Sequence, residues 1–272
     1  MARCTFAKWT PITGPVGSFV GGPFRIVHHT TEGGSASGAF AAFRAHRSDP
    51  HFTVDQTTIY QHIDTGLAAR ALRNLGGGVE TNRLSSIQIE VVGTAAKPKP
   101  RATLENVARL CRWLEKTHAI PSKWPSGLPK VAVNGRDPGG HNRNAANWTS
   151  LGGHYGHSQV PENIHWDPAY NADEVDFLMR FDPDNPSALQ DPEIDALRER
   201  LPEDVPVEFE DIAIPDHADV GEDEELEEAE PDGSESSVPR NLYASPEMAV
   251  LIAGLFFAGT FLLVRRLGQL EG

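Results

Sequence analysis

The chain has 272 residues and a formal net charge of −14 at pH 7, but this average hides two regions of opposite charge. Residues 181–240 contain 22 Asp and Glu against 3 Lys and Arg, a net charge of −19, whereas residues 1–180 contain 14 acidic and 19 basic residues, a net charge of +5. The only two cysteines, Cys4 and Cys111, exclude a small scaffold built on disulfides. The basic N-terminal region would adsorb to an anionic polymer, although ordinary surface charge explains it equally well.

Residues 1–180 show the alternation of strands and helices that is typical of an α/β domain. Apolar runs suited to strands occur at 24–27, 52–54, 58–62 and 87–92. Ala36–His46 is rich in Ala and predicts one helix. A second helix is predicted behind Thr103, a candidate N-cap, by an apolar stripe at helical spacing formed by Leu104, Val107, Ala108, Cys111 and Leu114. We therefore expect a mixed central β-sheet flanked by helices over residues 1–180.

Residues 181–242 predict a disordered acidic linker. The segment is rich in Asp, Glu and Pro and has too few apolar residues to offset the entropy lost on ordering. A short helix near 192–201 is an alternative for its first part, because Ile194, Leu197 and Leu201 would share one helical face.

Residues 243–266 predict one transmembrane helix. Its centre, 249–264, has sixteen residues without a charge, about 24 Å of helix, which is slightly shorter than a typical hydrocarbon core. Arg265 and Arg266 follow it, so the positive-inside rule places the short C-terminus inside and the N-terminal domain outside. No apolar run of about 7 to 15 residues follows the basic residues of the N-terminus, so a conventional secretory signal is not predicted.

Six of the eleven histidines fall in two clusters, which are His28 with His29, and His141, His154, His157 and His165 in a loop-rich region that ends at Asp167. Two imidazoles and one carboxylate would leave a fourth position for water on a tetrahedral zinc ion, as in catalytic zinc sites. The alternative is a set of loop histidines that only form hydrogen bonds.

Four segments in order resemble the N-acetylmuramoyl-L-alanine amidases of the phage-lysozyme and peptidoglycan-recognition-protein type. They are FRIVHHTTEGG (24–34), HFTVDQTTIYQHID (51–64), SSIQIEVVG (85–93) and GHSQVPENIHWDPAY (156–170). The resemblance covers about residues 20–180. It implies a Zn²⁺-dependent hydrolase that cleaves the amide between N-acetylmuramic acid and L-alanine in peptidoglycan.

The resemblance also implies which residues form the site. His28, His157 and Asp167 match the family's zinc ligands, and His29 then has an outer or structural role. Pro50 stands where some members have a catalytic tyrosine, whereas Glu90 matches the glutamate that other members use as general base. His165 occupies the position of a lysine thought to stabilise the oxyanion, and an imidazole can donate a hydrogen bond there.

The leading hypothesis is therefore a membrane-tethered zinc amidase with Glu90 and His165 as catalytic residues. The expected partners are peptidoglycan and, through the C-terminal helix, a lipid bilayer, with no nucleic acid. The expected location is the membrane, with a single-pass C-terminal anchor and the catalytic domain facing the cell wall. The alternatives are a peptidoglycan-binding module of the same fold without activity, and a zinc amide hydrolase with another substrate.

Overall fold

The computed structural model describes residues 2–185, 187 and 190–204. In chain order, the strands are β1 (Lys8–Trp9), β2 (Gly17–Ser18), β3 (Arg25–Thr30), β4 (Phe52–Val54), β5 (Ile59–Gln61), β6 (Leu67–Ala68), β7 (Ser86–Val91) and β8 (Gly153–Gly156). The helices are α1 (Ala36–His46), α2 (Arg101–His118), α3 (Ala145–Ser150), α4 (Ala172–Arg180) and α5 (Pro192–Arg200), and a single 3-10 turn, His157–Gln159, follows β8.

The six strands of the main sheet lie in the order β1-β5-β4-β7-β3-β8. All neighbouring pairs are parallel except β4 with β5, which is antiparallel, so the sheet is mixed as expected. The central strands β3 and β7 are buried along their whole length. Because β3, β7 and β8 run parallel, their carboxyl ends meet at one edge of the sheet, where loops can bring polar side chains together.

The two faces of the sheet are covered by different helices. The back face, which includes Ile26, Ile87 and Ile89, packs into the large hydrophobic core with α2, α4 and α5. The front face includes Val27, which packs against Trp148 of α3 and Tyr155 of β8. This separation follows from the alternation of side chains along a strand.

Helix α2 buries the stripe that its sequence predicts, since every side chain of the stripe is fully buried in the core. The helix begins two residues before the predicted cap. Pro100 is its N-cap residue and makes no side-chain capping hydrogen bond, while Thr103 lies inside the first turn and is buried. The carbonyl oxygen of Pro100 accepts the first hydrogen bond of the helix, from the N–H of Leu104 at 3.1 Å.

Residue 181 is too early as the start of the predicted linker, and the short helix considered as an alternative near 192–201 is present as α5. Phe181, Ile194, Leu197 and Leu201 are buried in the same core as the sheet. The N–H of Arg101 donates to the carbonyl oxygen of Pro202 at 3.0 Å, which ties the end of this segment to the start of α2. Ile194 and Leu197 of α5, with Leu201 directly after it, therefore pack the segment against the domain despite its acidic composition.

The rest of the predicted linker and the transmembrane helix predicted at 243–266 lie outside the described residues. In the part of the chain that the structure describes, no helix combines the length and apolar character that crossing a bilayer requires.

Candidate metal and catalytic site

Strand β3 brings His29 to the front face and His28 to the back face. Neighbouring residues of a strand point to opposite faces, and both side chains are buried. The Nδ1 atom of His29 lies 3.0 Å from Nδ1 of His157. His28 instead contacts His154 and Tyr170. The prediction that His28 joins His157 and Asp167 is therefore wrong, and His29 takes that place.

His157 is held by the 3-10 turn directly after β8. Because β8 pairs in parallel with β3, the turn lies beside the end of β3 that contains His29. The Nε2 atom of His157 lies 3.0 Å from Oδ1 of Asn163. If Nε2 carries the proton and donates to this amide oxygen, Nδ1 keeps a free lone pair that faces His29.

Asp167 completes the group. Its Oδ1 lies 3.2 Å from Nδ1 of His157, and its Oδ2 accepts a hydrogen bond of 3.0 Å from the backbone N–H of Thr30. Burial alone would raise the pKa of this carboxyl, but the neighbouring His157 and these hydrogen bonds hold the pKa well below its ordinary value. Asp167 is therefore a buried carboxylate, which is the form that binds a cation.

The donor set fits a divalent metal ion. One ligand atom each from His29, His157 and Asp167 lies within 4.8 Å of the others. With metal–ligand bonds of about 2.0–2.1 Å, neighbouring ligands of a tetrahedral zinc ion are about 3.3–3.4 Å apart. The separations of 3.0 Å between His29 and His157 and 3.2 Å between His157 and Asp167 are close to that spacing. Two of the three separations are therefore already suited to a zinc ion, and the third is at most 4.8 Å.

Glu90 lies next to these three residues. In the parallel pairing of β3 with β7, its Cα is the partner of His29, and its Oε1 is 3.8 Å from Nδ1 of that histidine. Among the described residues, Oε2 of Glu90 and Nε2 of His29 are buried without a hydrogen-bond partner. Burial, followed by the negative charges of Asp167 and Glu32, raises the pKa of Glu90 well above its ordinary value. A carboxyl group in this setting has a strong tendency to take up a proton.

His165 lies at the mouth of the site. Its ring stacks on the ring of His157 with centroids 4.6 Å apart and planes 12° apart. The residue is exposed, and its carbonyl oxygen accepts a hydrogen bond of 2.8 Å from Arg143. Partial burial and the neighbouring His157 lower the pKa of His165. The imidazole therefore lies beside the donor set with one side open to solvent.

Three contributions to the site lack a clear signal in the sequence. The side chain of Asn163 and the backbone N–H of Thr30 position the candidate ligands, and Arg143 holds the loop of His165. Backbone donors leave no mark in a sequence, and nothing local distinguishes Asn163 from the other polar residues of its loop. The role of His29 could be inferred only by knowing which face of β3 the helix α2 covers.

Two histidines and a buried carboxylate beside a second carboxyl group are typical of a metal-dependent hydrolase. The sequence profile of the N-acetylmuramoyl-L-alanine amidases matches residues 23–170, which is more than half of the chain and includes all of these residues. The chain therefore belongs to the N-acetylmuramoyl-L-alanine amidase family, whose enzymes hydrolyse an amide bond of peptidoglycan.

Several solved structures of hydrolases and endolysins are similar to the chain. The Staphylococcus aureus hydrolase AmiA in complex with its ligand is 16% identical with a TM-score of 0.43, and the match covers 65% of this chain and 83% of that one. A mutant endolysin from Bacillus subtilis is 26% identical with a TM-score of 0.32 over 42% and 79% of the two chains. The amidase LysCS from Clostridium intestinale is 13% identical with a TM-score of 0.41 over 64% and 94%. Comparison with curated protein sequences gave no significant match.

Proposed function

We propose that the protein is a zinc-dependent amidase that cleaves the bond between N-acetylmuramic acid and L-alanine, with His29, His157 and Asp167 as the zinc ligands. The observation that supports this most directly is the meeting of these three buried side chains beside Glu90 at the carboxyl ends of β3 and β8. Family membership supports the amide bond as the target.

The chemistry of the donor set favours zinc. Two imidazole nitrogens and one carboxylate oxygen suit Zn²⁺ and leave one tetrahedral position for water or substrate. When bound, the ion would act as a Lewis acid that polarises the scissile carbonyl and lowers the pKa of water. Asn163 and the N–H of Thr30 would keep His157 and Asp167 in the orientation that binding requires.

Glu90 is the proposed general base. Its carboxyl group lies beside the ligand set rather than among the three converging atoms, and Oε2 has no hydrogen-bond partner among the described residues. A carboxylate held in this place can accept a proton from the attacking water and then pass it to the leaving amine. Because Glu90 and His29 are both buried, bulk water is kept away from this proton transfer.

His165 is the proposed donor to the oxyanion. Its ring is stacked on His157, so it is fixed in orientation, yet the residue remains exposed at the entrance. A ring N–H in that position can donate a hydrogen bond to the negative oxygen that forms when the carbonyl is attacked. Arg143, which holds the backbone of His165, fixes the loop.

The test is digestion of purified peptidoglycan by the full-length protein, with mass spectrometry of the released material. Stem peptides with a free N-terminal L-alanine are the expected product. A chelator should abolish their release, zinc should restore it, and His29→Ala or His157→Ala should abolish it. His46→Ala, which changes an exposed histidine at the end of α1, is the matched control and should retain full activity.

Two results would contradict the proposal. Tight binding to peptidoglycan without released peptide would indicate the binding module without activity. An active His29→Ala variant together with an inactive His28→Ala variant would show that the ligand set is the wrong one.

We also propose that residues 243–266 anchor the enzyme in a membrane, with the catalytic domain facing the cell wall. The support is in the sequence, where the uncharged stretch 249–264 is followed by Arg265 and Arg266. Deletion of 249–264 should move the protein from the membrane fraction to the supernatant after centrifugation. If the shortened protein stays in the membrane fraction, the anchor lies elsewhere or does not exist.

A further inference from the structure

A second group of histidine and cysteine side chains lies behind the sheet, on the face opposite the candidate active site. It consists of His28 from β3, Cys111 from α2 and His154 from β8, and their ligand atoms lie within 4.8 Å of one another. The Nε2 atom of His28 and the Nδ1 atom of His154 are 3.0 Å apart. This is the same separation that the two histidines of the front site show.

The remaining ring nitrogens of this back group have partners of their own. Nε2 of His154 lies 2.8 Å from Oε1 of Glu115, which also pairs with Arg112 at 2.8 Å. Nδ1 of His28 lies 3.5 Å from the hydroxyl group of Tyr170. A histidine that binds a metal through one nitrogen usually donates its other N–H to a carboxylate or another oxygen, and both histidines are arranged in this way.

The surroundings are those of a closed site. His28, Cys111 and His154 are at most 1% exposed. The indole ring of Trp124 covers both imidazoles, with centroids 5.2 Å and 5.6 Å away. A site sealed from solvent gives substrate no access, so an ion bound here would have a structural role.

We propose that His28, Cys111 and His154 bind a second metal ion, with Zn²⁺ as the expected ion and Cys111 as a thiolate ligand. A thiolate and two imidazoles suit zinc or another metal ion that favours sulfur. Binding releases the thiol proton of Cys111, while the proton between the two rings moves to Nδ1 of His28, which faces the hydroxyl group of Tyr170. The thiolate offsets one positive charge of a divalent ion, and Glu115, which His154 shares with Arg112, lies next to the second.

The metal and the thiolate depend on each other. Burial raises the pKa of the Cys111 thiol, so without a cation the group is a neutral thiol. The ion supplies the positive charge that makes a buried thiolate favourable. Since the site is closed, the ion enters while the chain folds, and the site ties α2 to β3 and β8.

Cobalt substitution tests the proposal because the front site contains no sulfur. The full-length protein is produced in cobalt-supplemented minimal medium, so that the ion is present during folding, and its absorption spectrum and metal content are measured. We expect two ions per chain and a near-ultraviolet charge-transfer band from thiolate to cobalt. The chain has only two cysteines, so Cys111→Ser should abolish the band and reduce the content to one ion, whereas Cys4→Ser should retain both.

A second variant distinguishes the front site from the back group. His157→Ala should lose one ion and all amidase activity but keep the thiolate band, so failure of the proposed function and failure of this inference give different results. Wild-type protein with one ion per chain and no thiolate band would overturn the inference and leave His28 and His154 as a hydrogen-bonded pair. This result does not depend on whether any variant folds.

Discussion

Protonation of His62 should destabilise the protein in mild acid. His62 is buried, its Nδ1–H donates to the carbonyl oxygen of Thr10, and its Nε2 accepts a hydrogen bond of 2.8 Å from the hydroxyl group of Thr53. Both nitrogens are therefore satisfied in the neutral ring, and a proton on Nε2 would break the bond from Thr53. Burial lowers the pKa of His62 from 6.5 to about 4.

The direction of this pH effect follows from the number of protons bound by the folded and unfolded states. Between pH 6.5 and pH 4 the unfolded chain holds a proton on this histidine and the folded chain does not, so acid favours unfolding. With these two pKa values, the contribution of His62 to the free energy of unfolding falls by about 2 kcal/mol between pH 7 and pH 5. His51 has a pKa lowered to about 4 for the same main reason and should contribute a similar loss.

The measurement is urea unfolding of the wild type and of His62→Gln at pH 7 and pH 5. The variant will be less stable at both values, but it cannot take up the proton. The wild type should therefore lose about 2 kcal/mol more than the variant between the two pH values. His46→Gln, at an exposed position, should follow the wild type. Equal losses in the wild type and His62→Gln would refute the reasoning.

Three further predictions concern the active site and the domain boundary. Glu90→Gln should lower kcat by about 10²- to 10⁴-fold with the metal content unchanged, because the general base is lost. If the variant also loses the metal, Glu90 belongs to the ligand set. Asn163→Ala should weaken zinc binding by about 10- to 100-fold in a competition titration, because Nε2 of His157 loses its hydrogen-bond partner. An unchanged affinity would contradict this. In urea unfolding, Leu197→Ala should destabilise the protein by about 2–5 kcal/mol, because the side chain is buried. Glu199→Ala, at an exposed position, should change the stability by less than about 0.5 kcal/mol. Equal effects would argue against α5 as part of the domain.

The sequence predicts the elements that local patterns define. The helix predicted at Ala36–His46 has the same bounds in the structure, and β4 forms at its predicted position. The stripe of α2 is buried as predicted because a helix with one apolar face has only one stable way to meet a sheet. The start of α2 differs from the prediction by three residues, since the N-cap residue is Pro100 and not Thr103.

The acidic segment shows where composition misleads. Averaged over residues 181–240, charge dominates and disorder is the expected result. Ile194, Leu197 and Leu201 nevertheless share one face and are buried. Their spacing is visible in the sequence, but the packing of α5 against α4 that helps to bury them is a tertiary feature. The boundary of the domain therefore depended on a partner that the local pattern does not reveal.

The same reasoning explains why the resemblance to the amidases points to His157, Asp167 and Glu90 but not to His29. The first two lie in one distinctive motif, and Glu90 lies at the end of a predicted strand. His28 and His29 are adjacent and chemically identical, so only the direction of each side chain distinguishes them. That direction is fixed by the pairing register of β3, since a shift of one residue would exchange the two faces.

The register of β3 and β8 links the two histidine pairs mechanically. Each segment supplies one histidine to each face: His28 and His154 meet behind the sheet, and His29 and His157 meet in front. The back contact therefore joins the two chain segments within three residues of both front ligands. Whether an ion or a shared proton holds it, this contact limits how far β3 and β8 can slide past each other. The separation of His29 and His157, on which the metal site depends, is thus fixed partly from the opposite face of the sheet.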